Sequence, residues 1–254
     1  MNREKKALLS IGLITLFVFV VVWWVPTIPQ DTAYHDFADC REIYSISNFW
    51  NVISNLPFLV VGLYALYKMY MLKSLVILDE IKASYLLLFI GVTLVSFGSS
   101  YYHLDPNNET LLWDRLPMTI AFMALFSIII SEFLSLKIGK SLLLPLLFLG
   151  MGSVLYWFMG ELSGAGDLRL YALVQFLPII IMPIILFFFP STFSLTRGYW
   201  YLMFCYVLAK FFEQFDSEVY EVLGFISGHS IKHMVAAFGL YILLRSFENR
   251  YQIK

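Results

Sequence analysis

Charge is scarce in this chain. Asp, Glu, Lys and Arg make up only 14% of its 254 residues, and they sum to a formal net charge of −1. Without a strongly basic patch there is no electrostatic footprint for nucleic acid. Cysteine is scarcer still: Cys40 lies in a polar stretch and Cys205 inside an apolar run. Residues expected at different depths do not form a disulfide. There is no internal repeat, no low-complexity tract and no polar stretch long enough for a soluble domain. H-E-x-x-H, the soluble metalloprotease pattern, is missing. What remains is hydrocarbon: 60% of residues are hydrophobic, and the mean hydropathy is +0.76. The apolar residues fall in long continuous runs, which marks an all-α, polytopic membrane protein. A transmembrane β-barrel would show weak alternation instead.

Eight runs have the length to span a bilayer, at about 7–25, 49–69, 84–103, 115–134, 141–159, 170–189, 198–216 and 229–247. The first follows a basic start and ends in Trp23, Trp24, Val25 and Pro26, with no small-residue cleavage site. It reads as a retained helix with an interfacial tryptophan anchor rather than a signal peptide. Lys and Arg set the orientation. With eight spans, Arg3, Lys5, Lys6, Lys68, Lys73, Lys82, Lys137, Lys140, Arg197, Arg245, Arg250 and Lys254 fall on one side. The other side has Arg41, Arg115 and Arg169 among Asp36, Asp39, Glu42, Asp105, Glu109, Asp167, Asp216, Glu218 and Glu221. Both termini are therefore expected in the cytoplasm, and the expected location is the plasma (inner) membrane.

This topology gives polar residues a depth. His103 closes span three in S-S-Y-Y-H, Asp114 and Arg115 open span four in W-D-R-L-P, and His229 and His233 lie in the first two turns of span eight. Three of the four histidines thus share one level near the outer surface. The i,i+4 spacing of His229 and His233 puts them on one helix face, roughly 6 Å apart at Cβ. With His103 they form a candidate three-imidazole metal site, an arrangement used by catalytic zinc with a water in the fourth position. Such an ion lowers the pKa of its water towards about 7. Asp114 is the candidate to orient that water or take its proton. Ser99, four residues before His103, is the candidate donor to a developing oxyanion. Blander readings stand beside these. A lone histidine near a helix end is an interfacial residue, Asp114 can pair with Arg115 or cap its span, and Ser99 can be a small packing residue. Lys210, Glu213 and Asp216 form a second polar group in span seven near the level of the histidines; Lys210 and Glu213, i,i+3, read as a structural ion pair, with support of the site or binding of a substrate headgroup as the alternative. Lys232 is expected to snorkel to the outer interface, Glu132 to reach water at the inner end, and Ser227 to cap span eight.

With these residues placed, the chain resembles the alkaline ceramidases, within a superfamily of seven-helix membrane hydrolases that includes the adiponectin-receptor-like proteins. The resemblance is carried by N-F-W-N-V-I-S-N-L-P-F-L at 48–59, S-x-x-x-H at 99–103, Asp114 in W-D-R-L-P, and H-x-x-x-H at 229–233. It implies a seven-helix core over 29–254, with 1–28 contributing a tail and an extra helix. It implies zinc on His103, His229 and His233, with Asp114 assisting the water and Ser99 stabilising the tetrahedral intermediate. The implied reaction is cleavage of the amide of ceramide-like lipids, a step of sphingolipid metabolism, in a membrane-embedded protein with no protein partner evident. Eukaryotic members bind calcium through an acidic N-terminal segment that ends in Glu before Phe-Trp-Asn. Asn48 stands there in this chain, so calcium is not expected to be retained intact, although Asp36, Asp39 and Glu42 offer oxygen ligands. The segment looks closer to prokaryotic members. Two other classes compete: a non-enzymatic receptor with a structural metal, and a hydrolase of another lipid amide or ester. A transporter using Lys210 and Glu213 ranks below them, because the polar residues form no path across the membrane.

Overall fold

A backbone in hydrocarbon must satisfy its own hydrogen bonds, and helices are how a chain this apolar does so. The structure is a computed structural model that describes residues 2–253; Lys254, counted above among the basic residues, lies outside them. In order the helices are α1 (Arg3–Trp24), α2 (Phe49–Ile53), α3 (Leu56–Tyr70), α4 (Lys82–Leu104), α5 (Asn108–Ile129), α6 (Leu136–Leu162), α7 (Arg169–Phe188), α8 (Arg197–Gln214), α9 (Asp216–Leu223) and α10 (Gly228–Asn249). Among the described residues there is no β-strand, only isolated bridges at Ile43/Ile46 and Phe193/Gln252.

Six segments are long and apolar enough to cross a membrane: α1, α2 with α3, α4 with its short lead-in, α5 with the turn after it, α6 and α7. The protein is an all-helical integral membrane protein. The expected spans seven and eight correspond to α8 and α10. They have spanning length, but Lys210 and Glu213 in one and His229, Lys232 and His233 in the other take them below the apolarity of the six. They hide those groups by packing on each other and, through α10, on α3. Neighbours α3 to α7 pack in sequence, and α1 lies outside the ring against α7. It buries only Ala7, so nearly its whole apolar surface is left for lipid.

The contacts identify two ends of the bundle. At one, the end of α4 meets the start of α10. There too, Asp167 accepts from the Ile28 and Arg169 amides and from the Arg169 guanidinium, while Arg169 reaches the carbonyl of Val25. Burial pushes the Asp167 carboxyl up, but these hydrogen bonds outweigh it and hold the group below the ordinary carboxylate range. At the other end, Lys68 pairs with Glu248, and Arg3 lies over Phe187 and Phe188.

Glu132 corrects the expectation that it reaches water. A π-turn over Ile130–Leu134 follows α5 and leaves Glu132 only 2% exposed. Its carboxylate accepts from the hydroxyls of Tyr85 (2.5 Å) and Tyr199 (2.8 Å) and pairs with Arg250 at 2.9 Å. Arg250 also donates to the Val76 carbonyl and lies over Phe193 and Phe247. Each buried charge is thus matched, and the segment after α10 is locked to α4, α5 and α8. Removing one partner strands the other. Arg250→Ala should therefore cost about 3–5 kcal/mol of stability, read as a lower midpoint in thermal unfolding of the detergent-solubilised protein. An unchanged midpoint would show the pair to be dispensable.

Candidate metal centre

Pro57 and Pro117 shape the backbone around the site. Pro57 has no N–H to donate and sits in the first turn of α3, where none is required. The predicted span two is accordingly broken into α2 and α3 at Ser54 and Asn55. Pro117 lies inside α5 and frees the carbonyl of Trp113, four residues earlier. Gly98 of α4 packs directly on that carbonyl, and a Cβ there would clash with it. This close approach brings the next residue of each helix, Ser99 and Asp114, together at one place in the interior. Both are buried.

The three predicted histidines converge. His103 is 1% exposed, His229 5% and His233 6%. Their ring centroids are 4.8, 5.0 and 5.1 Å apart, and one nitrogen from each lies within 4.8 Å of the others. The cluster is able to hold a metal ion. Two further observations fit that use. His103 Nδ1 and His229 Nε2 are buried without any hydrogen-bond partner, a costly state that ligation would relieve. The third ring is oriented from outside: the Ser54 hydroxyl donates its single proton to the Asn51 carbonyl (3.1 Å) and so accepts from His233 Nδ1 (2.8 Å). With the hydroxyl proton on that carbonyl, Nδ1 carries the ring proton and the Nε2 lone pair is left for an ion. Ser54→Ala should therefore weaken metal affinity by roughly 10- to 100-fold without abolishing it. Competition with a chelator of known affinity measures this, and unchanged affinity would remove Ser54 from the site.

The ends of the elements are fastened to keep this geometry. Ser227 caps α10 as predicted, accepting from the Ser230 amide. Asp216 accepts from the His229 amide at 2.6 Å and from the Ala38 amide at 2.9 Å, so one carboxylate ties the histidine helix to the loop above it. Gly228 lets α10 start directly against the carbonyl of Phe212. Asn48 holds the His103 carbonyl, and Asn51 accepts from Ser230. Phe37 packs edge-on against His103 at 4.7 Å and His229 at 4.4 Å, closing the cluster towards the loop. The fourth histidine, His35, is spent on Tyr102 and Asn108.

Beside the cluster lies a cavity of about 780 Å³, and Ser99, Asp114 and His233 line it together. Most of its wall is apolar, from Phe58, Val92, Met118, Leu125, Ile179 and Leu240 among others. It reaches the gap between α7 and α8, which pack sparsely and are bridged where Gln175 donates to the Tyr206 hydroxyl at 3.1 Å. Several polar expectations resolve here. Lys210 and Glu213 pair at 2.5 Å as predicted. Lys232 does not snorkel; α10 packs on α8, and the ammonium turns to Glu213 at 2.8 Å. Asp114 does not pair with Arg115, which stacks among aromatic rings instead. Of the oxygen ligands offered to calcium, both carboxylate oxygens of Asp39 are taken by Arg41. Asp36, Asp39 and Glu42 do not form a ligand group among the described residues.

Sequence reasoning missed Ser54 and Phe37. For Ser54 a signal existed: Asn51, Ser54 and Asn55 put three polar groups on one side of an apolar span. For Phe37 there was none, because its place depends on how the loop folds back.

The family model described as Ceramidase matches residues 30–250, most of the chain. No curated protein and no solved structure matches it.

Proposed function

The chain belongs to the ceramidase family, and from that premise we propose that it is a zinc-dependent intramembrane amidohydrolase, cleaving ceramide-like lipids to a long-chain base and a fatty acid. The observation that carries the reading is the buried three-imidazole cluster opening on an apolar cavity of lipid dimensions. His103, His229 and His233 would hold the ion. Zinc among neutral imidazoles supplies a polarising charge for a carbonyl and makes hydroxide accessible near neutral pH.

The chain's own residues do the rest. The apolar wall takes the hydrocarbon chains and keeps water away from all but the reacting end. Asp114 takes a proton from the attacking water as its oxygen bonds to the amide carbon. Ser99, beside Asp114 on the cavity wall, turns its O–H to the carbonyl oxygen as charge develops there. The C–N bond then breaks, and Asp114 returns the proton to the departing nitrogen. Water and amide are thereby converted to amine and carboxylic acid.

The membrane arrangement belongs to the same reading. α8 and α10 complete eight spans, both termini are cytoplasmic in the plasma (inner) membrane, and α1 is an added helix outside a seven-helix unit. The start of the family match at residue 30, just past α1, supports that division. The test is mass spectrometry of lipids incubated with the wild type and with His103→Ala. Ceramide should fall, with equal gains in long-chain base and fatty acid, in the wild type alone. Equal hydrolysis by the variant, or no hydrolysis by zinc-loaded wild type, would overturn the proposal.

A further inference from the structure

Arg115 is a buried cation that the chemistry above does not use. It is 4% exposed. Asp114, its neighbour in sequence, does not pair with it, and no ion pair to Arg115 is present among the described residues. The other carboxylates lining the cavity are committed elsewhere: Glu213 to Lys210 and Lys232, and Asp31 to the amide of Ala33.

What surrounds the guanidinium holds it without neutralising it. Trp157 lies 4.3 Å from it, Tyr171 4.8 Å and Tyr34 5.7 Å. These rings meet the face of the cation and fix its plane. Gln30 accepts from Nη2 at 2.6 Å. Nη1 is buried and has no partner, although the residue lines the cavity. A rigidly held guanidinium with a free N–H edge is built for an oxygen anion.

We propose that Arg115 is the anion-binding end of the cavity and takes an oxyanion carried by the lipid. The same chemistry has two sources: a phosphate- or sulfonate-type group on the substrate's head, or the carboxylate that hydrolysis releases. The identity of the occupant rests on the lipid-hydrolase reading; its recognition by Arg115 is measured by binding alone.

The experiment uses the full-length, metal-loaded protein in detergent. Affinities are measured by ligand-induced thermal shift for three probes: an N-acyl long-chain base with a phosphate ester on its primary hydroxyl, the same lipid with that hydroxyl free, and the fatty acid of the same acyl length. The wild type should bind the phosphate-bearing lipid about 10- to 100-fold tighter than its neutral counterpart. Arg115→Gln should reduce that ratio to within about threefold, and Arg115→Lys should keep part of it, having the charge without the fork. If the fatty acid alone loses affinity in Arg115→Gln, the anion is the product's; if the phosphate-bearing lipid does, it is the head group's; either result supports the proposal. Equal binding of charged and neutral lipids by the wild type would overturn it whether or not the variants fold. So would an Arg115→Gln protein that binds both the phosphate-bearing lipid and the fatty acid as tightly as the wild type does. Arg115-dependent binding without hydrolysis of any lipid would defeat the enzymatic reading and leave this one standing.

Discussion

His229→Ala should yield a folded protein with almost no bound metal and almost no hydrolase activity. The wild type, purified without chelator, should carry about one zinc per chain by plasma mass spectrometry. Taking away one imidazole leaves His103 and His233, two neutral ligands where catalytic zinc takes three protein ligands. It also removes the buried, unpartnered Nε2 whose desolvation only an ion would repay. Loss of the ion should lower kcat/KM by at least about 10³-fold, roughly 4 kcal/mol of transition-state stabilisation. The fold should survive: α10 keeps its Ser227 cap, the Asp216 contact is to the backbone amide, and Ser230 keeps Asn51. His35→Ala provides the control, because that ring bonds Tyr102 and Asn108 and stands outside the cluster. It should keep its zinc. If His229→Ala retains both stoichiometric zinc and activity, the three-histidine centre is not where the chemistry happens.

The histidines were legible because depth is a one-dimensional quantity that hydropathy and Lys/Arg counts supply. His103 ends one outward run and His229 and His233 begin an inward one, so a shared level follows from alternation alone. Facing each other, rather than merely sharing a level, depends on helix rotation, which the i,i+4 spacing fixes only within α10. What stayed hidden depends on neighbours. Lys232 reads as a snorkelling residue if its helix is treated alone; Glu213 on α8 captures it, which needs the α8–α10 contact. Glu132 reads as a chain-end acid because its level is near the surface, but the π-turn after α5 and the return of Arg250 enclose it. Ser54 falls on the histidine only because Pro57 breaks the second span and re-aims the residue before the break. The lower apolarity of α8 and α10 has a related reason: a helix that buries its polar face against the bundle does not need to be apolar all round. Interior polar contacts, the hardest part to read from sequence, are therefore concentrated on the helices that build the site.

Asp114→Asn should separate the ion from the proton. The substitution is nearly isosteric, so the α4–α5 approach at Gly98 and Trp113 is undisturbed. The metal cluster does not include this residue, so zinc content should stay at the wild-type level. An amide has no basic oxygen, however, and a general base in this role contributes typically 10²- to 10⁴-fold. The fall should appear in kcat, with KM nearly unchanged, since the apolar wall that takes the chains is intact. Ser99→Ala should also lower kcat, by about 10²- to 10³-fold if its hydroxyl serves the developing oxyanion. In the double variant the losses should not multiply. The two side chains line the same cavity and serve one transition state, so once residue 114 has become Asn, deleting the hydroxyl removes a donor with less developing charge to meet. Non-additivity of that sense is the signature of two residues acting as one unit. Fully multiplicative losses would mean that the two residues act independently and that the hydroxyl reaches the carbonyl without help from residue 114. Wild-type kcat in Asp114→Asn would remove the carboxylate from the reaction and place the proton acceptor elsewhere along the cavity.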